Sequence, residues 1–236
     1  MAAFDPGKIF SVPNLVAVVT GGGSGIGLLM TKALALNGAQ KVYIIGRRKE
    51  VLEAAAKESP HGNITPIIGD VTSKDSLKAA VDQIQAEMGY INLLIANSGV
   101  SGPRTKKIAE IKSLEELQDE MWKMDVAEFT ETFNVNCSAV FFSTIAFLGL
   151  LNAGNKQGNV EQFSQVVATS SIASFNRIPT GGYSYGMSKA ACTHFMKQLA
   201  STLAPYDIRS NVLAPGRKDH SMSSHSHLLT FDSLSI

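Results

Sequence analysis

The chain has 236 residues, of which 44% are hydrophobic and 17% charged, with a formal net charge of +1. Such a length fits one domain whose core needs neither disulfides nor a structural metal, and the composition excludes a disordered or coiled-coil protein. The near-neutral charge gives no bulk attraction to nucleic acid or to an anionic membrane. Two cysteines, Cys137 and Cys192, argue against a disulfide framework and fit a reducing compartment. The opening MAAFDPGKIFSVPN has no basic region followed by an apolar one, so no signal peptide is read and a cytoplasmic location is expected.

In chain order, short β-branched runs alternate with helical patterns. Leu15–Thr20 predicts a strand and Ile26–Asn37 a helix. Lys41–Gly46 predicts a second strand and Lys49–Glu58 a second helix. Ile64–Gly69 predicts a third strand, with Pro66 tolerable only near a sheet edge. Leu77–Met88 is helical, Ile91–Ala96 a fourth strand, and a long helix runs from about Ala127 to Leu151. Its most apolar part, Val135–Leu151, is broken by Asn136, Cys137, Ser138, Ser143 and Thr144, and reads as a buried core helix rather than a membrane span. Gln165–Thr169 is a fifth strand, Ser184–Leu203 a helix and Ile208–Leu213 a sixth strand. Apolar strands alternating with helices imply a parallel sheet covered on both faces. Two regions depart from the rhythm: a charged, partly helical insertion at Ser101–Asp125, and a Ser/His-rich tail at Arg217–Ile236 with no clear period.

Between the first strand and first helix stands Thr20-Gly21-Gly22-Gly23-Ser24-Gly25-Ile26-Gly27. A dinucleotide site needs this placement. Gly21 permits the tight turn, Gly25 lets backbone approach a pyrophosphate, and Gly27 allows close helix packing. The helix N-terminus then offers free N–H groups to phosphate. A P-loop is excluded because Leu28-Leu29 follow Gly27, and a nucleophile elbow at Ser24 because Ile26 stands where Gly is needed. At the end of the second strand an acid would bind the ribose 2′-OH of NAD; Gly46-Arg47-Arg48 stands there instead. Two guanidiniums favour a 2′-phosphate, so NADP is expected and NAD disfavoured.

With these features the chain resembles the short-chain dehydrogenase/reductase family from about Leu15 to Gly216. Thr20-Gly-x-x-x-Gly-Ile-Gly27 is similar to the family's cofactor turn, and Asp70-Val71 to its adenine-contacting pair. Ala96-Asn97-Ser98-Gly99 resembles the family's Asn-Asn-Ala-Gly with two changes, leaving Asn97 and Gly99 in place. Tyr185-Gly-Met-Ser-Lys189 resembles the active-site Tyr-x-x-Ser-Lys. On a helix this spacing puts Tyr185 and Lys189 on one face. An ammonium nearby stabilises phenolate, so Tyr185 can exchange a proton with a carbonyl or alcohol. The resemblance implies that Lys189 also holds the nicotinamide ribose, with Tyr183 the local competitor of Tyr185. It implies Ser171 as the serine that hydrogen-bonds the substrate oxygen; Ser170 stays an alternative, because Ser171 lies 14 residues before Tyr185, one more than expected. Asn136 matches the helix asparagine supporting a proton path to the lysine, and as an amide in an apolar helix it needs buried partners. Pro215-Gly216 matches the pair lying against the nicotinamide.

The resemblance implies a single Rossmann-type doubly wound parallel sheet, six strands in the order 3-2-1-4-5-6, in a domain spanning residues 1–216. The family's usual seventh strand is not legible in residues 217–236, where Arg217-Lys218-Asp219-His220 open an irregular tail. His220, His225 and His227 lack an accompanying ligand set, so no metal is expected. The expected activity is NADP-preferring hydride transfer between nicotinamide and the carbonyl or secondary alcohol of a small molecule, weakly placed in secondary metabolism. Homo-oligomerisation is compatible with this reading. The alternative is a catalytically impaired dinucleotide-binding protein lacking the substrate lid.

Overall fold

The computed structural model describes residues 6–104, 106, 110–179 and 181–216. The expectation of an irregular tail over 217–236 falls outside the described residues. A short helix α1 (Pro6–Ile9) precedes β1 (Val16–Thr20), α2 (Gly25–Leu36), β2 (Lys41–Gly46), α3 (Lys49–Ala56), β3 (Ile64–Ile68), α4 (Lys74–Glu87) and β4 (Leu93–Ala96). The charged insertion contains α5 (Leu114–Trp122). Then follow α6 (Val126–Phe133), α7 (Ala139–Gln157), β5 (Gln165–Thr169), α8 (Tyr183–Leu203) and β6 (Arg209–Leu213).

The strands form one parallel sheet in the order β3-β2-β1-β4-β5-β6, as expected. Val16 to Val19 of β1 are wholly buried, as a central strand covered on both faces requires. Pro66 sits opposite Ile44 on β3, an edge strand, where its missing N–H breaks no interior ladder. Two apolar clusters pack on opposite faces of the sheet. One joins Tyr43, Leu94 and Val166 to Phe147, Leu150 and Leu151 of α7 and Met196 of α8. The other joins Val19, Ile44 and Ile95 to Ala35 of α2 and Leu52 of α3.

The long helix differs from its expected form. It runs to Gln157, and a π-helical turn at Asn134–Ser138 separates α6 from α7. Val126–Gln157 is long and apolar enough to cross a membrane by length and composition alone. In the fold α7 is a core helix, with Phe147 and Leu151 fully buried, although Phe141, Phe142 and Ile145 on its other side stay exposed.

The sheet reverses its strand order at β1, which pairs with β2 on one side and β4 on the other. In open α/β sheets the crevice at the carboxyl ends of the strands beside such a reversal is where ligands bind. Every motif found in the sequence lies at that end.

Candidate active site

The crevice is a cleft of about 950 Å³ running across the strand ends. Its first half is built by the turn after β1. Gly21 has φ +66°, and its N–H donates to the Ile45 carbonyl at 2.7 Å, closing the turn onto β2. A Cβ on Gly27 would abut the Gly21 carbonyl and lie 2.5 Å from Asn97 Nδ2, so only glycine lets α2 come this close. Ser24 is the N-cap of α2 without giving a side-chain cap bond, and no acid occupies the first turn. The helix start therefore keeps free N–H groups and its positive dipole end for an anion.

Arg47 and Arg48 line the cleft beside this turn, and Arg48 Nη2 lies 3.4 Å from Ser24 Oγ. Asp70 and Val71 line the same end. The Asp70 carboxylate accepts from the Thr72 N–H at 2.9 Å and hydroxyl at 2.7 Å. Those bonds, aided by Arg47, hold its pKa below the usual carboxylate value against a small opposing effect of burial. A glycine cradle, an uncapped helix start, paired arginines and an acid beyond them fit a dinucleotide. Gly21, Ser24, Ile26, Gly27, Arg47, Arg48, Asp70, Val71, Asn97 and Gly99 are the residues that would hold it.

The second half of the cleft is built by β5, α8 and the end of β6. Tyr185 lines it, half-buried, and Lys189 Nζ lies 5.9 Å from the Tyr185 ring centroid, as the four-residue spacing implies. Lys189 is 4% exposed and donates to the Thr169 carbonyl at 2.6 Å. Burial lowers its pKa, and the neighbouring Cys192 opposes the shift. Tyr183, the local competitor, is not on the cleft wall.

The two serines after β5 separate by their hydrogen bonds. Ser170 Oγ is turned under α8, 3.2 Å from the Lys189 carbonyl and 2.6 Å from Thr193 Oγ1. Ser171 Oγ accepts from the Ala173 N–H at 3.1 Å, capping the 3₁₀ turn Ile172–Ser174, and its hydroxyl hydrogen is committed to no described residue. Pro215 and Gly216 line the cleft opposite, where the Pro215 carbonyl accepts from the Ile172 N–H at 3.1 Å.

Three expected site residues are not on the wall: Thr20 and Asn136 are buried behind it, and Gly25 is exposed at the start of α2. Thr20 Oγ1 accepts from the Asn97 and Ser98 N–H groups at 2.9 and 3.1 Å, joining the ends of β1 and β4. Gly25, at φ +56°, opens α2. Asn136 is fully buried in the π turn. Its Oδ1 accepts from Val100 N–H at 2.8 Å, and its Nδ2 donates to the Val100 carbonyl at 2.9 Å and to Ser188 Oγ at 3.0 Å. A Cβ on Gly99 would sit 3.0 Å from Asn136 Oδ1 and 3.3 Å from Lys189 Nζ, so glycine here leaves room beside both side chains.

The model of the short chain dehydrogenase family matches residues 15–227. The chain belongs to the short-chain dehydrogenase/reductase family. It is 56% identical over 209 residues to the short-chain dehydrogenase/reductase PhomF of Diaporthe leptostromiformis, covering 88% of this chain and 71% of that one. It is 43% identical over 235 residues to the short-chain dehydrogenase/reductase VdtF of Byssochlamys spectabilis, covering 91% and 76%. Among solved structures, a Pseudomonas aeruginosa RhlG/NADP active-site complex superposes with a TM-score of 0.74 at 27% identity, over 90% of this chain and 76% of that one. The chain is thus an oxidoreductase of a family that uses NAD(P) and acts on small molecules. When bound, the nicotinamide supplies or takes up the hydride.

Motif reading missed part of the wall of this dehydrogenase. Ser98, Val100, Arg104, Thr169, Ile172 and Gly181 all line it. Thr169 was within reach of the sequence, because the last residue of a strand in an open sheet faces the ligand crevice. Its Oγ1 donates to Asn97 Oδ1 at 3.1 Å while its carbonyl holds Lys189. The others sit on loops whose path no periodicity encodes.

Proposed function

We propose that the chain is an NADP-preferring reductase or dehydrogenase interconverting a carbonyl and a secondary alcohol on a small molecule of secondary metabolism. Tyr185 exchanges the proton with the substrate oxygen, and Lys189 favours the phenolate and holds the nicotinamide ribose. Ser171 donates its free hydroxyl hydrogen to the same oxygen as charge develops. Asn136 keeps the Val100 loop after β4 and Ser188 in register beneath them. The observation that carries the reading is the single cleft in which the Tyr185–Lys189 pair faces Ser171 at one end while Arg47 and Arg48 flank the glycine turn at the other. In reduction, one carbonyl, one hydride and one proton give the alcohol, the proton coming from Tyr185 and then from solvent. The absence of an acid after β2 supports NADP over NAD. A cytoplasmic location and a homo-oligomer are compatible with the same reading, and the near-neutral charge supports an absence of nucleic-acid and membrane partners.

The test is oxidation of NADPH, followed at 340 nm, against a panel of ketones and, in reverse, reduction of NADP by secondary alcohols. Turnover with NADPH exceeding that with NADH is the expected result. Cofactor binding without turnover of any panel member would instead support the impaired dinucleotide-binding protein.

A further inference from the structure

The substrate half of the cleft has an apolar wall of Val100, Val135, Ile172 and Ala173. One charged side chain reaches it from outside the reacting pair: Arg104, exposed, on the loop that follows β4. Its place is fixed by backbone packing against the start of α8. A Cβ on Gly182, the N-cap of α8 at φ +91°, would lie 2.7 Å from the Pro103 carbonyl and 4.0 Å from Arg104 Cα. Glycine at this position lets the loop rest directly on the helix three residues before Tyr185.

Two acids near Arg104 in sequence, Glu116 and Glu120, are engaged by other groups. Glu116 meets the Lys106 ammonium at 3.6 Å and the Lys112 N–H at 3.0 Å. Glu120 accepts from the Lys106 N–H at 3.0 Å and pairs with Lys123 at 3.9 Å. The one acid on the cleft wall, Asp70, belongs to the opposite end beside Arg47. Among the described residues no carboxylate pairs with Arg104. A guanidinium presents a planar fork that matches a carboxylate with two parallel hydrogen bonds.

We infer that the substrate is a carbonyl or alcohol compound with an apolar body and a carboxylate set apart from the reacting carbon, and that Arg104 holds that carboxylate. The inference rests on the proposed reaction for the position of the reacting carbon, but the recognition of the acid is separable from turnover. Because Arg104 is exposed, its pairing is partly screened, and an effect of about tenfold that shrinks as salt rises is expected.

The probes are 4-oxo-4-phenylbutanoate and its methyl ester, titrated by calorimetry into the NADP-loaded protein, with NADPH oxidation measured in parallel. The acid should bind about tenfold more tightly than the ester. Arg104→Gln should abolish that difference, Arg104→Lys should keep part of it, and neither should change the Kd for NADPH. Equal binding of acid and ester, or binding of neither, overturns the inference. So does an Arg104→Gln variant that loses NADPH affinity by the same factor, which would make Arg104 a cofactor contact. Acid-selective binding without NADPH oxidation would keep the carboxylate site and remove the proposed reaction.

Discussion

Asn136 ties the chemistry to the stability of the fold, and its replacement gives a sharp test. The side chain is fully buried and makes three hydrogen bonds, two to the backbone of Val100 and one to Ser188 Oγ. Asn136→Ala strands the Val100 N–H and carbonyl, each worth about 1–3 kcal/mol when left unpaired, and opens a small cavity. Val100 is half-buried, so water recovers part of this, and a net loss of about 3 kcal/mol is expected. For a domain of this size that lowers Tm by about 6–12 °C. Asn136→Asp adds a pH signature. The neutral acid still has a donor for the Val100 carbonyl, whereas the carboxylate has none and meets that carbonyl as a like dipole. The folded-state pKa is thereby raised above the unfolded value of about 3.9. The native state then holds the proton more tightly, so stability relative to wild type falls as pH rises from 4 to 8. Thermal unfolding by circular dichroism across that range is the assay. An Asn136→Ala protein melting within about 2 °C of wild type, or an Asp variant whose deficit does not grow with pH, would refute the account of the π turn.

Other expectations follow from the same contacts. Gly27→Ala should weaken NADPH binding at least about tenfold by calorimetry, since the added Cβ meets the Gly21 carbonyl and Asn97 rather than a side chain that can turn away; unchanged affinity would mean the turn is not the cradle. Arg47→Ala with Arg48→Ala should reduce the preference for NADPH over NADH by about tenfold or more while leaving NADH binding intact, each lost charge-assisted bond accounting for about 1.5–3 kcal/mol. Tyr185→Phe should lower kcat by about 10²–10⁴-fold with NADPH affinity kept; near-normal kcat would move the proton source elsewhere. Lys189→Met should abolish turnover with little net change in the Tm of the cofactor-free protein, because the gain from removing a buried ammonium is offset by leaving the Thr169 carbonyl without its donor. Since burial lowers the Lys189 pKa below its unfolded value, thermal unfolding should show the wild type gaining stability relative to this variant as pH rises toward about 10.4.

The sheet was legible because its signals are local. Val16–Val19 and Tyr43–Ile45 are runs too apolar for anything but a central parallel strand, and Pro66 by itself assigns β3 to an edge. The candidate site was legible where a motif coincides with an element boundary, as at Gly21–Gly27 and Tyr185–Lys189, whose residues meet in one cleft. The π turn was not, because one residue of helical slippage leaves the apolar period almost unchanged; only Asn136, with an amide needing buried partners, marked the place. The choice between Ser170 and Ser171 could not be made by counting either. It depends on which hydroxyl α8 captures, through Thr193 and the Lys189 carbonyl, and those partners are about twenty residues away along the chain. Arg104 was hidden inside a charged insertion whose acids and bases look interchangeable until their pairings are seen.

Hydrogen bonds of Thr169 and Asn97 connect the two halves of the cleft. Thr169 takes Asn97 with its hydroxyl and Lys189 with its carbonyl, and Asn97 Nδ2 in turn donates to the Thr20 carbonyl at 3.1 Å. The ends of β1, β4 and β5 are therefore joined to Lys189 through three consecutive hydrogen bonds. The residues expected to bind the phosphates and those expected to move the proton thus share one rigid support. Arg104 stands apart from it, on a loop whose Pro103 carbonyl rests against Gly182 at the start of α8. Chemistry set by strand ends and recognition set by a loop can change independently, which is the arrangement expected where one reaction serves many substrates.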